Sequence, residues 1–146
     1  MANPVPFDPT LPTCIKDELK MARHQGRIAF LWLSKQNLGQ FDIEFEAYKL
    51  AIKKYLKIVS LELYVYLNHA LKDDPRSQQF LRFQQYTQGL NQRIANYLNQ
   101  RPASRLENIS ELKSIIIRLD HLLVVRNRDE QKILWPMYGL SQLNSH

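Results

Sequence analysis

The chain is poor in the residues that make tight turns and in those that make covalent or metal staples, with four glycines and one cysteine in 146 residues. Few positions can therefore take the left-handed backbone of close hairpins, so a fold of many short strands is not expected. The single cysteine, Cys14, excludes an internal disulfide and a paired-cysteine zinc site, and a lone thiol fits a reducing compartment. No reactive-cysteine signature surrounds it, and it reads as a small, partly buried residue near a helix start. A glycine-rich phosphate loop and the pattern of a nucleophilic triad are both missing, so an ordinary enzyme is not expected. No apolar run approaches the roughly 18 residues of a membrane span. The opening MANPVPFDPTLP lacks the basic and apolar regions of a secretory signal, and a cytoplasmic location is expected.

What is present describes one globular domain, with 45% hydrophobic and 23% charged residues and a formal charge of +6. Much of that charge sits on Lys49, Lys53, Lys54 and Lys57, which fall between apolar positions of an amphipathic helix. A solvated face explains them, and nucleic-acid binding is the weaker reading.

The apolar residues recur in steps of three and four, which predicts helices throughout. Residues 1–12 carry Pro4, Pro6, Pro9 and Pro12 and read as an extended arm, anchored on the domain by Phe7 and Leu11. Thr13 is the expected cap of a first helix running to about Gln36, closed by a turn at Gly39. That helix has one stripe through Met21, His24, Ile28 and Leu31, and a small-sided one through Leu19, Ala22, Gly26, Ala29 and Leu33 that admits a close neighbour. Phe30 and Trp32 on the same helix either cover the core or form a homodimer surface.

A second helix is expected from about Asp42 to Leu71, its stripe passing through Tyr55, Val59, Glu62, Tyr66 and His69. Asp73-Asp74-Pro75 breaks the chain before a third helix, from about Arg76 to Gln100. Ser104-Arg105-Leu106-Glu107 reads as a capping box opening a fourth helix that ends near Trp135-Pro136. Short turns between long helices predict an all-α, antiparallel up-down-up-down four-helix bundle over residues 13–138, with a tail at 139–146.

Bundle interiors are where such folds build chemistry, and four polar residues fall on the stripes: His24, Glu62, Arg126 and Glu130. At ~1.5 Å per residue, Glu62 and Arg126 lie equally far from the starts of their helices, so Glu62, Arg126 and Glu130 are expected to form an interior ion pair. The plainer alternative is an exposed pair between Arg126 and Glu130, four residues apart, with His24 an ordinary packed or half-exposed histidine.

The run from Arg126 to Pro136, with Glu130 in its acidic position and Leu134-Trp135-Pro136 at its close, resembles the end of the fourth helix in the hemerythrin-like domain. The resemblance spans about residues 14–138 and implies a four-helix bundle that once held a diiron site. It places His24 at a ligand histidine and Glu62 at a ligand carboxylate. Ile58 and Arg126 stand where histidines belong, and the third helix has no histidine, so most of the ligand set is gone. No cofactor is then expected. The alternative is one iron-like ion held by His24, Glu62 and Glu130.

The leading expectation is a non-catalytic regulatory or protein-interaction protein. One alternative is a metal-binding protein for oxygen, nitric oxide or iron. Another is a bacterial sigma-factor-binding regulator, since length, helix pattern and the apolar-acidic close are similar to the regulator-of-sigma-D family.

Overall fold

The computed structural model describes residues 2–142, and over these it is all-helical with four long helices. The first is α1 (Leu11–Ser34). The second joins α2 (Leu38–Ile58), a π-helical turn (Val59–Tyr64) and α3 (Val65–Ala70) without a break. The third is α4 (Ser77–Asn99). A short 3-10 turn (Leu106–Asn108) leads into the fourth, made of α5 (Ile109–Asp129), a second π turn (Glu130–Leu134) and α6 (Trp135–Ser141).

Cross-helix pairs give the relative directions. Glu18 meets Lys54 while Gln25 meets Glu44, so the first two helices run in opposite senses. Tyr86 bonds Asp129 and Tyr97 meets Arg118, which sets the third helix against the fourth. Along the second helix, Tyr55 meets Glu130 and Tyr66 meets Ser141, so the second and fourth run together.

The small-sided stripe of α1 is the buried one, Leu19, Ala22, Gly26, Ala29 and Leu33, and it brings α1 onto α2. A β-carbon on Gly26 would stand 2.8 Å from Tyr48 Cε1, so this contact needs glycine. The other stripe of α1 faces outward, with Met21, His24 and Leu31 exposed. Two apolar stripes on one helix cannot both face a single interior, and the one that allows the closer approach wins. Phe30 and Trp32 lie partly buried against the core, with Lys113 and Lys35 over their rings. Cys14 is exposed, not partly buried.

Several boundaries differ from expectation. The first helix starts at Leu11, ahead of Thr13, with Pro12 in its first turn where a missing N–H is harmless. It ends at a left-handed Gln36, φ 58°, not at Gly39. Asn37 N–H reaches back to Trp32 O and Gln36 N–H to Leu33 O, the paired bonds of a Schellman close. The Asn37 side chain then accepts from Gln40 N–H and caps α2, which places Gly39 inside that helix.

Ser104 does not cap the fourth helix; its hydroxyl donates to Asp42 and accepts from Arg101 at 2.8 Å. Nor does Pro136 end that helix, because the π turn before it restarts the α-helix at Trp135, leaving the proline in a first turn. Residues expected as tail are thereby helical to Ser141, and 143–146 lie outside the described residues.

The arm packs on the open end of the second and fourth helices. Phe7 stacks on Tyr138 with ring centroids 4.6 Å apart and lies 5.9 Å from the Tyr66 ring. Tyr138 Oη donates to Asp8 O and accepts from Asp8 N–H, both at 2.8 Å.

Candidate functional site

Midway along the core, one layer is polar. Arg126 and Glu130, both 0% exposed, project inward from the fourth helix and form an ion pair through Arg126 Nη1 and Glu130 Oε1. Their spacing of four puts them on one face, and the α5 stripe of Leu119, Leu122 and Leu123 points that face into the core.

Three other groups complete the guanidinium's surroundings. Arg126 Nε donates to Asn91 Oδ1 at 3.0 Å, Nη1 to Tyr55 Oη at 3.4 Å, and Nη2 to Tyr64 Oη at 3.4 Å. The two hydroxyls pass the bonding on: Tyr55 donates to Glu130 Oε2 at 3.1 Å, and Tyr64 to Thr87 Oγ1 at 3.1 Å. Thr87 in turn donates to Gln84 O at 2.9 Å. The Tyr55 and Tyr64 rings also flank the guanidinium carbon at 5.6 and 6.0 Å, within cation–π range.

The electrostatics follow from burial. Leaving water pushes the Glu130 carboxyl above its usual range, and the facing guanidinium and Tyr55 hydroxyl pull it back only in part. For Arg126, burial works against the charged form, but Glu130 and the two phenols outweigh it and the guanidinium stays charged. Burial likewise raises both phenols, so Tyr55 and Tyr64 remain protonated donors. The layer is a saturated one: both carboxylate oxygens and both hydroxyls have partners from this chain. Such a pair adds little net stability, whereas deleting one member typically costs about 3–5 kcal/mol.

Both π turns touch this layer. Tyr64 closes the first and Glu130 opens the second. The wider first turn lets Leu63 and Tyr64, consecutive residues, both face inward.

Of the residues expected here, Arg126 and Glu130 are in place and Glu62 is not. Glu62 is exposed, so the three-residue interior pair is corrected to Arg126 and Glu130 with Tyr55 taking the inner place. A count in α-helical steps carries the stripe through Glu62, but the π turn adds a residue and hands the inward position to Leu63 and Tyr64. His24 is also exposed, and the trio His24, Glu62 and Glu130 is not brought together. Among the described residues no cluster of three or more His, Cys, Asp or Glu side chains stands ready for a metal. The donor set of the layer does not fit an iron site either, because Glu130 is spent on Arg126 and Tyr55, and a guanidinium occupies the place where a cation would sit.

Three members went unnoticed in the sequence. Tyr55 falls on an apolar stripe, and Tyr64 and Asn91 lie one residue beside the buried Leu63 and Leu90. A buried arginine needs more acceptors than one carboxylate supplies, and that need was the available signal.

Fold and site together define an all-α four-helix protein whose interior holds a closed arginine–glutamate–tyrosine layer. No family model, curated protein or solved structure matches the chain. Among the described residues no helix is long and apolar enough to cross a membrane.

Proposed function

We propose that this chain is a non-catalytic regulatory or protein-interaction protein, built on a bundle that resembles the hemerythrin-like domain and no longer carries its metal chemistry. The observation behind this reading is Arg126, which stands where the resemblance expects a histidine ligand and fills the interior with a guanidinium bonded to Glu130, Asn91, Tyr55 and Tyr64. A layer so saturated offers no free base, nucleophile or ligand to a substrate. Function then belongs to the outer faces.

The second helix offers such a face. Ile43 and Leu50, two turns apart on one line, are 63% and 66% exposed. Isolated exposed apolar residues are ordinary, but a line of them on a helix is what a partner helix reads.

Two measurements test the proposal. Affinity capture with the intact chain is expected to recover one protein partner, and Ile43→Asp with Leu50→Asp is expected to abolish capture while leaving the circular dichroism unchanged. Metal analysis of protein from iron-replete cells is expected to find no stoichiometric iron. Stoichiometric iron with oxo-bridged diiron absorption overturns the proposal, as does capture that the double substitution leaves intact.

A further inference from the structure

The third helix and the turn after it carry no acidic residue. From Pro75 to Leu106 the sequence holds five arginines, no lysine and no Asp or Glu. Three of the arginines are taken up: Arg76 by Asp74, Arg101 by Asp42 and Arg105 by Glu107. The other two, Arg82 and Arg93, are exposed and enter no salt bridge, hydrogen bond or cation–π contact among the described residues. Each stands four residues before a tyrosine, so Arg82 with Tyr86 and Arg93 with Tyr97 are two copies of one arrangement. The copies are eleven residues apart, close to three full turns, so they share one side of the helix at a separation of ~16 Å.

That side adjoins the fourth helix. Tyr86 Oη donates to Asp129 Oδ2 at 2.9 Å, and Tyr97 Oη accepts from Arg118 Nη1 at 3.5 Å. Tyr86 is 48% exposed, so its ring is open to contact. The bond to Asp129 and burial raise its phenol, while the charges of Arg128 and Arg93 pull it back, which puts both arginines beside it. Asp129 is answered by Tyr86 and by Arg128 Nε at 3.7 Å, so the one carboxylate on this stretch is spent. Arg118 is exposed and has only its long bond to Tyr97. At the Tyr97 end lies an open cleft of about 630 Å³, where Asn96, Gln100, Ser110 and Ser114 present amides and hydroxyls. Glu107 and Glu111 in the same cleft end the basic stretch.

We propose that this side of the third and fourth helices binds a single-stranded nucleic acid, with phosphates on Arg82, Arg93 and Arg118 and a base stacked on Tyr86. Guanidiniums without partners fit phosphate oxygens, and an open tyrosine among them fits an unpaired base. A basic track with an aromatic platform is how such strands are held without sequence preference. From Arg82 to Tyr97 the track runs ~22 Å, room for about six nucleotides at ~3.4 Å per phosphate of a stacked strand. A protein helix is the poorer fit, because Leu81 and Tyr86 are the only large apolar side chains that α4 exposes, and glutamines fill much of its outer surface. The site is independent of the interaction face at Ile43 and Leu50, with which it shares no residue.

Fluorescence anisotropy tests it, with the full chain and labelled oligouridylate or oligothymidylate of about twelve nucleotides at about 50 mM salt. Saturable binding of at least one strand is expected, and the tighter of the two identifies the sugar. Arg82→Gln with Arg93→Gln is expected to reduce the slope of log affinity against log salt by about 1.4, the counterions of two phosphates. Tyr86→Leu keeps the charge and is expected to weaken binding about fivefold or more, the value of one stacked base. Lys49→Gln with Lys53→Gln removes the same charge from the second helix and is expected to change affinity less than about twofold. Arg82, Tyr86 and Arg93 are exposed, so circular dichroism is expected to stay unchanged in their variants. No saturable binding, a lysine pair that matters as much as the arginine pair, or an affinity that Tyr86→Leu leaves unchanged overturns the proposal. So does a duplex of the same length bound as tightly as either strand. Loss of a captured protein partner in the arginine variant also overturns it and assigns the face to that partner.

Discussion

A guanidinium with no exposed surface must find its hydrogen bonds inside the chain, and Arg126 finds them on its own helix at Glu130, on the third at Asn91 and on the second at the two phenols. Arg126→Ala strands the Glu130 carboxylate, and a loss of about 3–5 kcal/mol in urea unfolding is expected. Arg126→Met with Glu130→Leu is expected to recover most of that loss, because an apolar pair leaves no buried charge. Recovery falls short of complete, since the Tyr55 hydroxyl then loses both of its partners. A single variant losing under about 1 kcal/mol would place the pair in contact with water. At the mouth of the third helix, Asp74 accepts from Arg76 Nε, Nη2 and N–H, and these bonds hold its carboxyl down at about 2. An acid with a depressed folded value stabilises the fold above its unfolded value and loses that contribution as pH falls toward the folded one. Melting temperature should therefore decline between about pH 4 and pH 2, and Asp74→Asn should flatten that part of the curve. The inward pointing of Arg126 and Glu130 was legible, because two charges interrupted an apolar stripe. Their partners were not, since a tyrosine hydroxyl shows no periodicity of its own.

At the scale of elements, two departures from expectation, the misplaced Glu62 and the fourth helix that runs on past Pro136, trace to the two π turns. From Tyr55 the second helix buries Val59, Leu63, Leu67 and Leu71, always four apart. The fourth buries Leu122, Arg126, Glu130, Leu134 and Tyr138 at the same interval. An α-helix advances 400° in four residues, so such a series drifts off its face unless a wider turn absorbs the excess. That repeated four was the sequence signal for the π turns. An alternating three-four count missed it and placed Glu62 inside, while the proline itself prompted an end near Pro136 that the π turn before it avoids. The helices themselves, and the close approach at Gly26, were legible because small residues at helical spacing have few other uses. Deletion of Ser60, an exposed residue in the first π turn, removes the extra residue and leaves the flanking core positions in α-helical phase. The variant is expected to stay folded, with a cooperative melt. Deletion of the equally exposed Leu50, in regular α-helix, rotates everything beyond it by about 100° and is expected to abolish cooperative unfolding. Loss of the cooperative transition in both variants would mean that the wide turn is needed for Tyr64 to reach Arg126.

For the molecule as a whole, the arm closes the end of the bundle opposite the turns at Asn37 and Pro102. Its prolines announced an extended segment, but only the structure shows the aromatic seat that receives it. Phe7 stacks on Tyr138, Tyr138 meets Tyr66 edge-on at 5.0 Å, and Trp135 meets Tyr138 edge-on at 5.7 Å. Asn3 Nδ2 donates to Tyr66 O at 3.1 Å, fixing the arm beyond the stack. Two of the arm's contacts, Phe7 with Tyr138 and Asp8 with Tyr138, join residues 130 or more positions apart in sequence. Phe7→Ala is expected to cost about 2 kcal/mol, below the usual range for core aromatics because Phe7 is only partly buried. Helix content should not change, because the arm itself is not helical before Leu11. Trp135 reports the event directly: in a Trp32→Phe background, Phe7→Ala should shift its fluorescence as water reaches the Tyr138 ring. Proteolysis before Leu11 should accelerate in parallel, while cleavage within the helices should not. An unchanged Trp135 signal with faster cleavage everywhere would instead make Phe7 part of one cooperative unit with the bundle, and the arm would then be as much core as cover.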